Sequence, residues 1–528
     1  MALLGDEAIA MGAIHSGISA AYAYPGTPAT EIQEAIQKYV AAYPDPKINS
    51  AWSINEKVAM EEAVGASLIG KRSLVNMKHV GVNVAADPFM NAAITGCGGG
   101  IVIAAADDPS MHSSQNEQDS RYYADFAKIP CFEPSNQQQA YDMTREAFDI
   151  AEKYEVPILL RLTTRLAHTR ARVSFAKPRG QNELKLPDNF KKWTLLPSNA
   201  RPQYKKLLQK QKDLIAYSDA SAFNELKITK GSKLGIITSG LGYNYLMENI
   251  QDGSIECSIL RIGVYPLPEK KIKELASSCQ EILVIEEGYP YIERYLPSYL
   301  MRFGINVSVK GKLDGTLPEQ GELTPGIVRA ALGMGSLENC ESDTSGLVRP
   351  RPPALCKGCP HHDTYLALNE ALKGKEKERI VFSDIGCYTL GAYPPYETIH
   401  SCLCMGASIS MAKAAAENGL KYAVAVIGDS TFDHSGITPL LEGIKRENPF
   451  TVVIVDNSTT AMTGGQDTIC GETALEKLVV GMGIDQKHLR RIIPLPKQHE
   501  QNVKVFEEEL EYAGPSVIIA LRKCIQIK

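Results

Sequence analysis

Apolar positions along this chain fall into two kinds of run. Short unbroken stretches, such as Ala423-Val424-Ala425-Val426-Ile427 and Thr451-Val452-Val453-Ile454-Val455, stop abruptly at polar residues. Between them lies a longer segment with apolar residues at helical spacing, through Leu440 and Ile444. This alternation predicts parallel strands buried on both faces and joined by right-handed helical crossovers. The same pattern opens the chain. Helical spacing runs from Glu7 to Ile18, and Ala21 to Tyr24 reads as a short strand. Pro25-Gly26-Thr27-Pro28 breaks it, and Thr30, a candidate cap, starts a helix to Val40. Ile54-Asn55-Glu56 precedes a small-residue helix from Val58 to Ile69. Ser73 to Met77, Gly100 to Ala105 and Pro157 to Leu162 are further buried strands, and Asp107 to Tyr123 is a long polar loop of the kind that carries function.

A second set of strands follows at Lys233 to Thr238, Cys257 to Ile262 and Glu281 to Glu286. Its Gly240-Leu241-Gly242 is not a GxGxxG loop, so no nicotinamide site is read there. Lys177 to Lys230 is Lys-rich and Pro-punctuated, with one helix expected around Tyr204 to Tyr217, and reads as a solvated wrapping linker. The Pro-rich Arg349-Pro350-Arg351-Pro352-Pro353 marks another boundary. The expected organisation is a first domain over 1–176, a linker over 177–230, a second domain over 231–345 and a third over 346–528. The fold class is α/β, with three doubly wound parallel-sheet domains.

Composition adds mainly exclusions. A length of 528 residues suits about three domains. A net charge of −5 gives no reason to expect nucleic acid or an anionic membrane as partner. No apolar run approaches the roughly 18 residues of a membrane span, and the start resembles no signal peptide, so the cytoplasm is the expected location. The twelve cysteines are scattered, with close pairs only at Cys356/Cys359 and Cys402/Cys404. They read as reduced thiols, without the four-cysteine spacing of a zinc or iron–sulfur motif. Cys356, Cys359, His361 and His362 are the right residue types for zinc, but no second pair lies at finger distance.

The chemistry concentrates where the two best strands end. Gly428-Asp429-Ser430 and Asp456-Asn457 fall at the carboxyl ends of adjacent strands, where open α/β sheets bind ligands. A carboxylate and an amide oxygen there suit a hard divalent cation, while Gly428 and the following helix start admit an anion. The step from Gly428 to Asp456 resembles a thiamine diphosphate signature, with Ser430 and Asp456 as departures from it. The plainer reading is a helix cap at Asp429 and a turn at Asn457.

Longer motifs carry a specific resemblance. Tyr24-Pro25-Gly26-Thr27-Pro28, Asn55-Glu56-Lys57-Val58-Ala59, Met77-Lys78-His79-Val80-Gly81, His112 to Glu117, Asp384 to Gly391, Cys404 to Ser408, Gly428 to Phe432 and Thr460 to Gly464 occur in one order. Together they resemble the alpha subunit of indolepyruvate ferredoxin oxidoreductase. The resemblance implies a pyrimidine-binding domain, a transketolase-C-like domain and a diphosphate-binding domain. It implies oxidative decarboxylation of an aryl 2-oxoacid to acyl-CoA with thiamine diphosphate and Mg²⁺. It also implies a beta subunit, ferredoxin or another electron carrier as partner, and a homodimeric core.

Residue by residue, the resemblance assigns Glu56 to proton sharing with the cofactor's aminopyrimidine, although a plain N-terminal helix carboxylate would look the same. Asp429, Asn457 and a carbonyl near Thr459 would hold Mg²⁺, with Ser430 and Thr431 near the diphosphate. Gly386, Cys387, Met405 and Gly428 would line the cofactor. Thr27, His79 and Arg121 are assigned to the substrate side, Arg121 either pairing a 2-oxoacid carboxylate or forming a surface salt bridge. Lys357, His362 and Asp433 depart from the family pattern. The family's ferredoxin-like extension would begin near Cys524, so no iron–sulfur cluster is expected on this chain and electrons are expected to leave through a partner. Two alternatives stand beside this reading: a non-oxidative decarboxylase or carboligase on the same cofactor, and an assembly subunit without turnover.

Overall fold

The computed structural model describes residues 1–251, 253–335, 352–471 and 473–527. The chain divides into two compact units, Met1–Ser342 and Asp343–Lys528. The expected boundary at 345/346 and residues 349–351 of the Pro-rich run lie outside the described residues.

The first unit holds two sheets. Its seven-stranded sheet runs in the order Val264–Tyr265, Cys131–Phe132, Ile158–Thr163, Ile101–Asp107, Ser73–Lys78, Ala20–Ala23, Asn49–Trp52. All pairs are parallel except that of the edge strand Val264–Tyr265 with Cys131–Phe132. Every residue of Ile101–Asp107, Ser73–Lys78 and Ile158–Thr163 is buried, as expected where helices cover both faces. The five-stranded sheet is ordered Ser308–Lys310, Glu281–Ile285, Leu234–Ser239, Cys257–Ile262, Glu225–Lys227, with only the last strand antiparallel. Edge strand Val264–Tyr265 belongs by sequence to the segment that builds this second sheet, yet it pairs with the first.

Local detail differs from the sequence reading at two points. Thr30 lies inside the helix Thr30–Ala42 rather than capping it, and its Oγ1 accepts the Gly26 N–H at 3.1 Å. The hydroxyl thereby ties the helix start to the Pro25–Pro28 turn, whose Thr27–Pro28 bond is cis. The Lys-rich segment carries a longer helix than its pattern suggested, Pro197–Ala220, held to the unit by buried Leu207 and Leu214.

The second unit is built on one six-stranded sheet, ordered Ser401–Cys402, Arg379–Ser383, Tyr422–Gly428, Thr451–Asp456, Ser516–Leu521, Leu489–Ile492 and wholly parallel. The two apolar runs that open the sequence reading are its central strands, Val424 opposite Thr451 and Gly428 opposite Val455. Helices cover both faces and divide the core in two. Phe506 and Tyr365 pack with one set of strand residues, Phe432 and Ile409 with the other. Among the described residues no helix is long and apolar enough to cross a membrane.

Candidate functional site

In the second unit, chemistry gathers at the carboxyl edge of the central strands. Because Gly428 lies opposite Val455, Asp429 and Asp456 leave neighbouring strand ends. Both are buried, 2% and 1% exposed. Burial, then the charge of Asp456, push the Asp429 carboxyl well above the usual carboxylate range. Its Oδ2 has no hydrogen-bond partner. Asp433 adds a third carboxyl within electrostatic reach: Oδ2 accepts the Cys470 N–H at 2.8 Å, while Oδ1 is unpartnered. Carboxylates crowded in a dry site cannot all stay ionised unless a cation joins them. Hard oxygen donors in that number fit a divalent ion such as Mg²⁺.

The neighbours complete the cradle. Asn457 Oδ1 accepts the Thr459 N–H at 3.2 Å and keeps one lone pair. Asn457 Nδ2 lies 3.5 Å from Nε2 of His361, whose pKa burial lowers to about 4, so the imidazole is neutral. Ser458 adopts φ 60°, an uncommon conformation for a non-glycine residue, in the turn that aims Asn457. Thr459 Oγ1 donates to the Gln466 carbonyl at 3.1 Å. A Cβ on Gly428 would fall 2.6 Å from the Tyr388 ring, so the loop admits no side chain there. The Tyr388 hydroxyl donates to Asp384, as does Ser408 Oγ at 2.6 Å, and burial raises Asp384 to about 6. Thr431 Oγ1 donates to the Ile385 carbonyl at 3.2 Å, and Ser430 Oγ accepts from Thr460 Oγ1 at 2.9 Å. After Thr431 the helix widens into a π turn over Phe432–Gly436, a distortion frequent at functional sites. Gly386, Cys387 and Met405 are half-buried nearby in sequence and sheet order, Met405 just before the left-handed Gly406. Of the residues assigned from sequence, Gly428, Asp429, Ser430, Thr431 and Asn457 share this edge. Asp456 and His361 were not singled out for it.

The first unit carries a second constellation at the carboxyl edge of its seven-stranded sheet. Asn55 caps the helix Glu56–Leu68 by accepting the Val58 N–H at 2.9 Å, which fixes Glu56 in the first turn. Glu56 is buried, and its carboxyl lies against Gly81, where a Cβ would sit 2.7 Å from both Cγ and Oε1. Strand Ser73–Lys78 feeds helix His79–Val84 at the same corner. His79 is 1% exposed with neither ring nitrogen bonded. Lys78 Nζ donates to Ser113 O at 2.6 Å and Ser113 Oγ at 3.1 Å. Ser113 Oγ also lies 3.2 Å from the Thr27 carbonyl. Asp108 organises the polar loop, accepting from Ser113 N, Ser114 Oγ and Thr164 Oγ1 at 2.8, 2.5 and 2.7 Å.

Arg121 departs from its expected place on the substrate side. Its side chain is fully buried between the two sheets, bonded to Asp119 at 2.5 Å and Glu286 at 2.8 Å. The remaining donors reach the Tyr265 hydroxyl and the Glu287 and Tyr289 carbonyls. With the guanidinium fork spent inside the fold, no donor is left for a ligand, and the salt-bridge alternative holds in a buried form.

Some of the cysteines come closer in the fold than their spacing announces. Burial raises the Cys387 thiol to about 11, with further contributions from Cys359, Cys524 and Cys356. Cys359 is raised by burial and then by Cys356 and Cys524. The thiols of Cys356, Cys359, Cys387 and Cys524 thus lie within electrostatic reach of one another, although no four-cysteine spacing announces it. They adjoin the carboxylate edge: Cys524 N donates to the Asn457 carbonyl at 3.0 Å, and Cys387 precedes Tyr388, which packs on Gly428. The expectation of no iron–sulfur cluster rests on the absence of a four-cysteine run, and thiols brought together by the fold lie outside that spacing rule. Four thiols suit such a cluster, which spreads its ligands wider than a single ion does.

Residues 11–213 match the family model described as "Pyruvate flavodoxin/ferredoxin oxidoreductase, thiamine diP-bdg". Residues 384–520 match "Thiamine pyrophosphate enzyme, C-terminal TPP binding domain". The chain is 42% identical over 477 residues to the indolepyruvate oxidoreductase subunit IorA of Methanothermobacter marburgensis, covering 88% of this chain and 76% of that one. It is 37% identical over 548 residues to the subunit IorA of Archaeoglobus fulgidus, covering 99% and 86%. The solved 2-oxoglutarate:ferredoxin oxidoreductase from Magnetococcus marinus aligns with a TM-score of 0.50 at 14% identity, over 63% of this chain and 65% of that one, a likeness of fold.

Proposed function

Since the chain belongs to the family of indolepyruvate oxidoreductase IorA subunits, thiamine diphosphate-dependent 2-oxoacid oxidoreductases, we propose that its substrate is an aryl 2-oxoacid of the indolepyruvate type, which it decarboxylates oxidatively to an acyl-CoA. When bound, thiamine diphosphate supplies the nucleophilic carbon that attacks the 2-oxo group. The protein's own residues supply the rest. Asp429, Asp456 and Asn457 would hold Mg²⁺ beside the diphosphate, with Ser430 and Thr431 at the helix start. Glu56 would share a proton with the aminopyrimidine ring, a role that asks for a buried carboxyl in a fixed rotamer, and Gly81 lets the helix pack directly on it. Thr27 and His79 would lie on the substrate side. The observation that carries the cofactor assignment is the unpartnered Oδ2 of buried Asp429 beside Asp456.

The electron route follows from the thiols. Two electrons must leave when an aldehyde-level product becomes an acyl group, and thiamine diphosphate has no place to keep them. Cys356, Cys359, Cys387 and Cys524 offer a soft ligand set for an iron–sulfur cluster beside the Asn457 turn. A cluster held there would hand electrons to a partner subunit and a ferredoxin-type carrier. The non-oxidative reading drew its support from missing clustered thiolates, and the gathered set withdraws that support.

Product analysis with indolepyruvate and phenylpyruvate, with and without CoA and an artificial electron acceptor, tests the reading. Acyl-CoA formed only with acceptor present is the expected result. Aldehyde or acyloin formed at an unchanged rate without acceptor would overturn it.

A further inference from the structure

A 2-oxoacid enters as an anion, and a cleft that desolvates a carboxylate needs a cation with a donor to spare. Arginines near the carboxyl edge of the seven-stranded sheet already have carboxylates of this chain as partners. Arg121 is spent on Asp119 and Glu286, and Arg161 on Asp107 at 2.6 Å and Glu133 at 2.5 Å. Arg165 is taken by Tyr245 and Glu322. Lys78 differs from all three.

We infer that Lys78 is the residue that anchors the carboxylate of the 2-oxoacid, an assignment that rests on the thiamine-dependent reading above. Lys78 ends the strand Ser73–Lys78 and is 8% exposed. Its two hydrogen bonds both go to Ser113, so one of the three N–H donors of the ammonium is uncommitted. Among the described residues no carboxylate lies within ion-pair distance of it. Asp108 is its nearest charged influence, and that carboxylate is already engaged by Ser113, Ser114 and Thr164. Buried charges are as a rule paired, so an ammonium held here without a carboxylate is poised for one brought by a ligand. Burial lowers its pKa to about 8, which still leaves it mostly charged near neutrality.

Position supports the same role. One turn beyond Lys78, Gly81 packs on the Glu56 carboxyl. On the other side, Ser113 Oγ joins Lys78 to the Thr27 carbonyl. Between them, His79 presents two unbonded ring nitrogens in a buried setting, suited to the 2-oxo oxygen or a neighbouring polar group. Lys78 is thus a specificity residue for the acid group, separate from the aryl end of the substrate.

The test uses Lys78→Met and Lys78→Arg in the full enzyme with its partner subunit, assayed with indolepyruvate, CoA and an electron acceptor. Losing one charge-assisted contact should raise KM about fiftyfold in Lys78→Met with kcat changed less than about fivefold. Lys78→Arg should recover most of that KM. Thiamine diphosphate affinity and cofactor C2 proton exchange should be unchanged in both, which a merely structural role would not predict. An unchanged KM in Lys78→Met overturns the inference, as does loss of KM, kcat and cofactor affinity in step. Should Lys78→Met fail to fold, Lys78→Gln decides: a KM raised about tenfold or more with normal cofactor affinity supports the anchor, and a wild-type KM refutes it. A wild-type enzyme that turns over no 2-oxoacid would instead bring down the functional reading itself.

Discussion

Replacing Asp429 by Asn separates the two things that residue does. In the cofactor-free protein the Asp429 and Asp456 carboxyls adjoin one another in a buried site. Two unit charges about 4 Å apart at an effective dielectric near 20 repel by about 4 kcal/mol, which bounds the effect. The protein escapes by keeping a proton on Asp429, whose folded pKa is raised well above the ordinary value. The folded chain therefore binds a proton that the unfolded chain releases. This contribution to stability is fully present below the unfolded carboxylate value of roughly 3.9 and is lost as pH rises through the folded one. An amide carries no charge to neutralise. Asp429→Asn should stabilise the cofactor-free protein near neutral pH by on the order of 2 kcal/mol and remove the fall in stability that sets in as pH rises above the ordinary carboxylate range. The same change removes an anionic ligand from the Mg²⁺ site and should weaken Mg²⁺-dependent thiamine diphosphate binding about a hundredfold, or roughly 2.7 kcal/mol. Thermal unfolding across pH and calorimetric titration with cofactor read the two effects separately. Unchanged cofactor affinity would refute the metal assignment, and a less stable cofactor-free variant would refute the argument from crowded carboxyls.

Glu56→Gln should bind thiamine diphosphate within about tenfold of wild type yet nearly abolish exchange of the cofactor's C2 proton in deuterated water, since an amide of the same shape cannot share the ring proton; near-normal exchange would place that function elsewhere. Arg121→Met should cost about 3–5 kcal/mol of stability in the first unit, because it strands Asp119 and Glu286 without a counter-charge, and should leave the KM of the surviving enzyme for 2-oxoacid unchanged in urea-titrated, activity-matched samples. Cys387→Ser should lower the iron content and visible absorption of anaerobically purified protein and remove acceptor-linked turnover while sparing cofactor binding; full iron content in the variant would take Cys387 out of the thiol set.

Legibility in the sequence followed locality. Runs such as Val424 to Ile427 and Val452 to Val455 declare buried parallel strands because every residue in them must be apolar, and a strand's end is where its apolar run ends. Asp429 and Asn457 could be placed for that reason alone, without knowing what they face. What depended on distant partners could not be read. Arg121 sits in a polar loop and looks available, but its counter-charge Glu286 arrives from the second sheet, 165 residues away. Asp456 looked like a departure from a motif, and only the register of two strands turns it into a second carboxyl beside Asp429. Lys78 was overshadowed by its neighbour His79, because a lysine at a strand end usually reaches solvent, and the chain gives no sign that Ser113 folds back over it.

The thiols make the same point about function. Cys356 and Cys359 lie just before the helix Pro360–Ala371, Cys387 follows the strand Arg379–Ser383, and Cys524 follows the strand Ser516–Leu521. Read along the chain they are a pair and two singles, and a spacing rule passes over them. In a parallel sheet, however, residues just past the strands emerge on one edge, so Cys387 and Cys524 lie on the same edge whatever their separation in sequence. The informative pattern is therefore that Cys387 and Cys524 fall just past strand ends, at the edge that also carries Asp429, while the Cys356/Cys359 pair opens a helix.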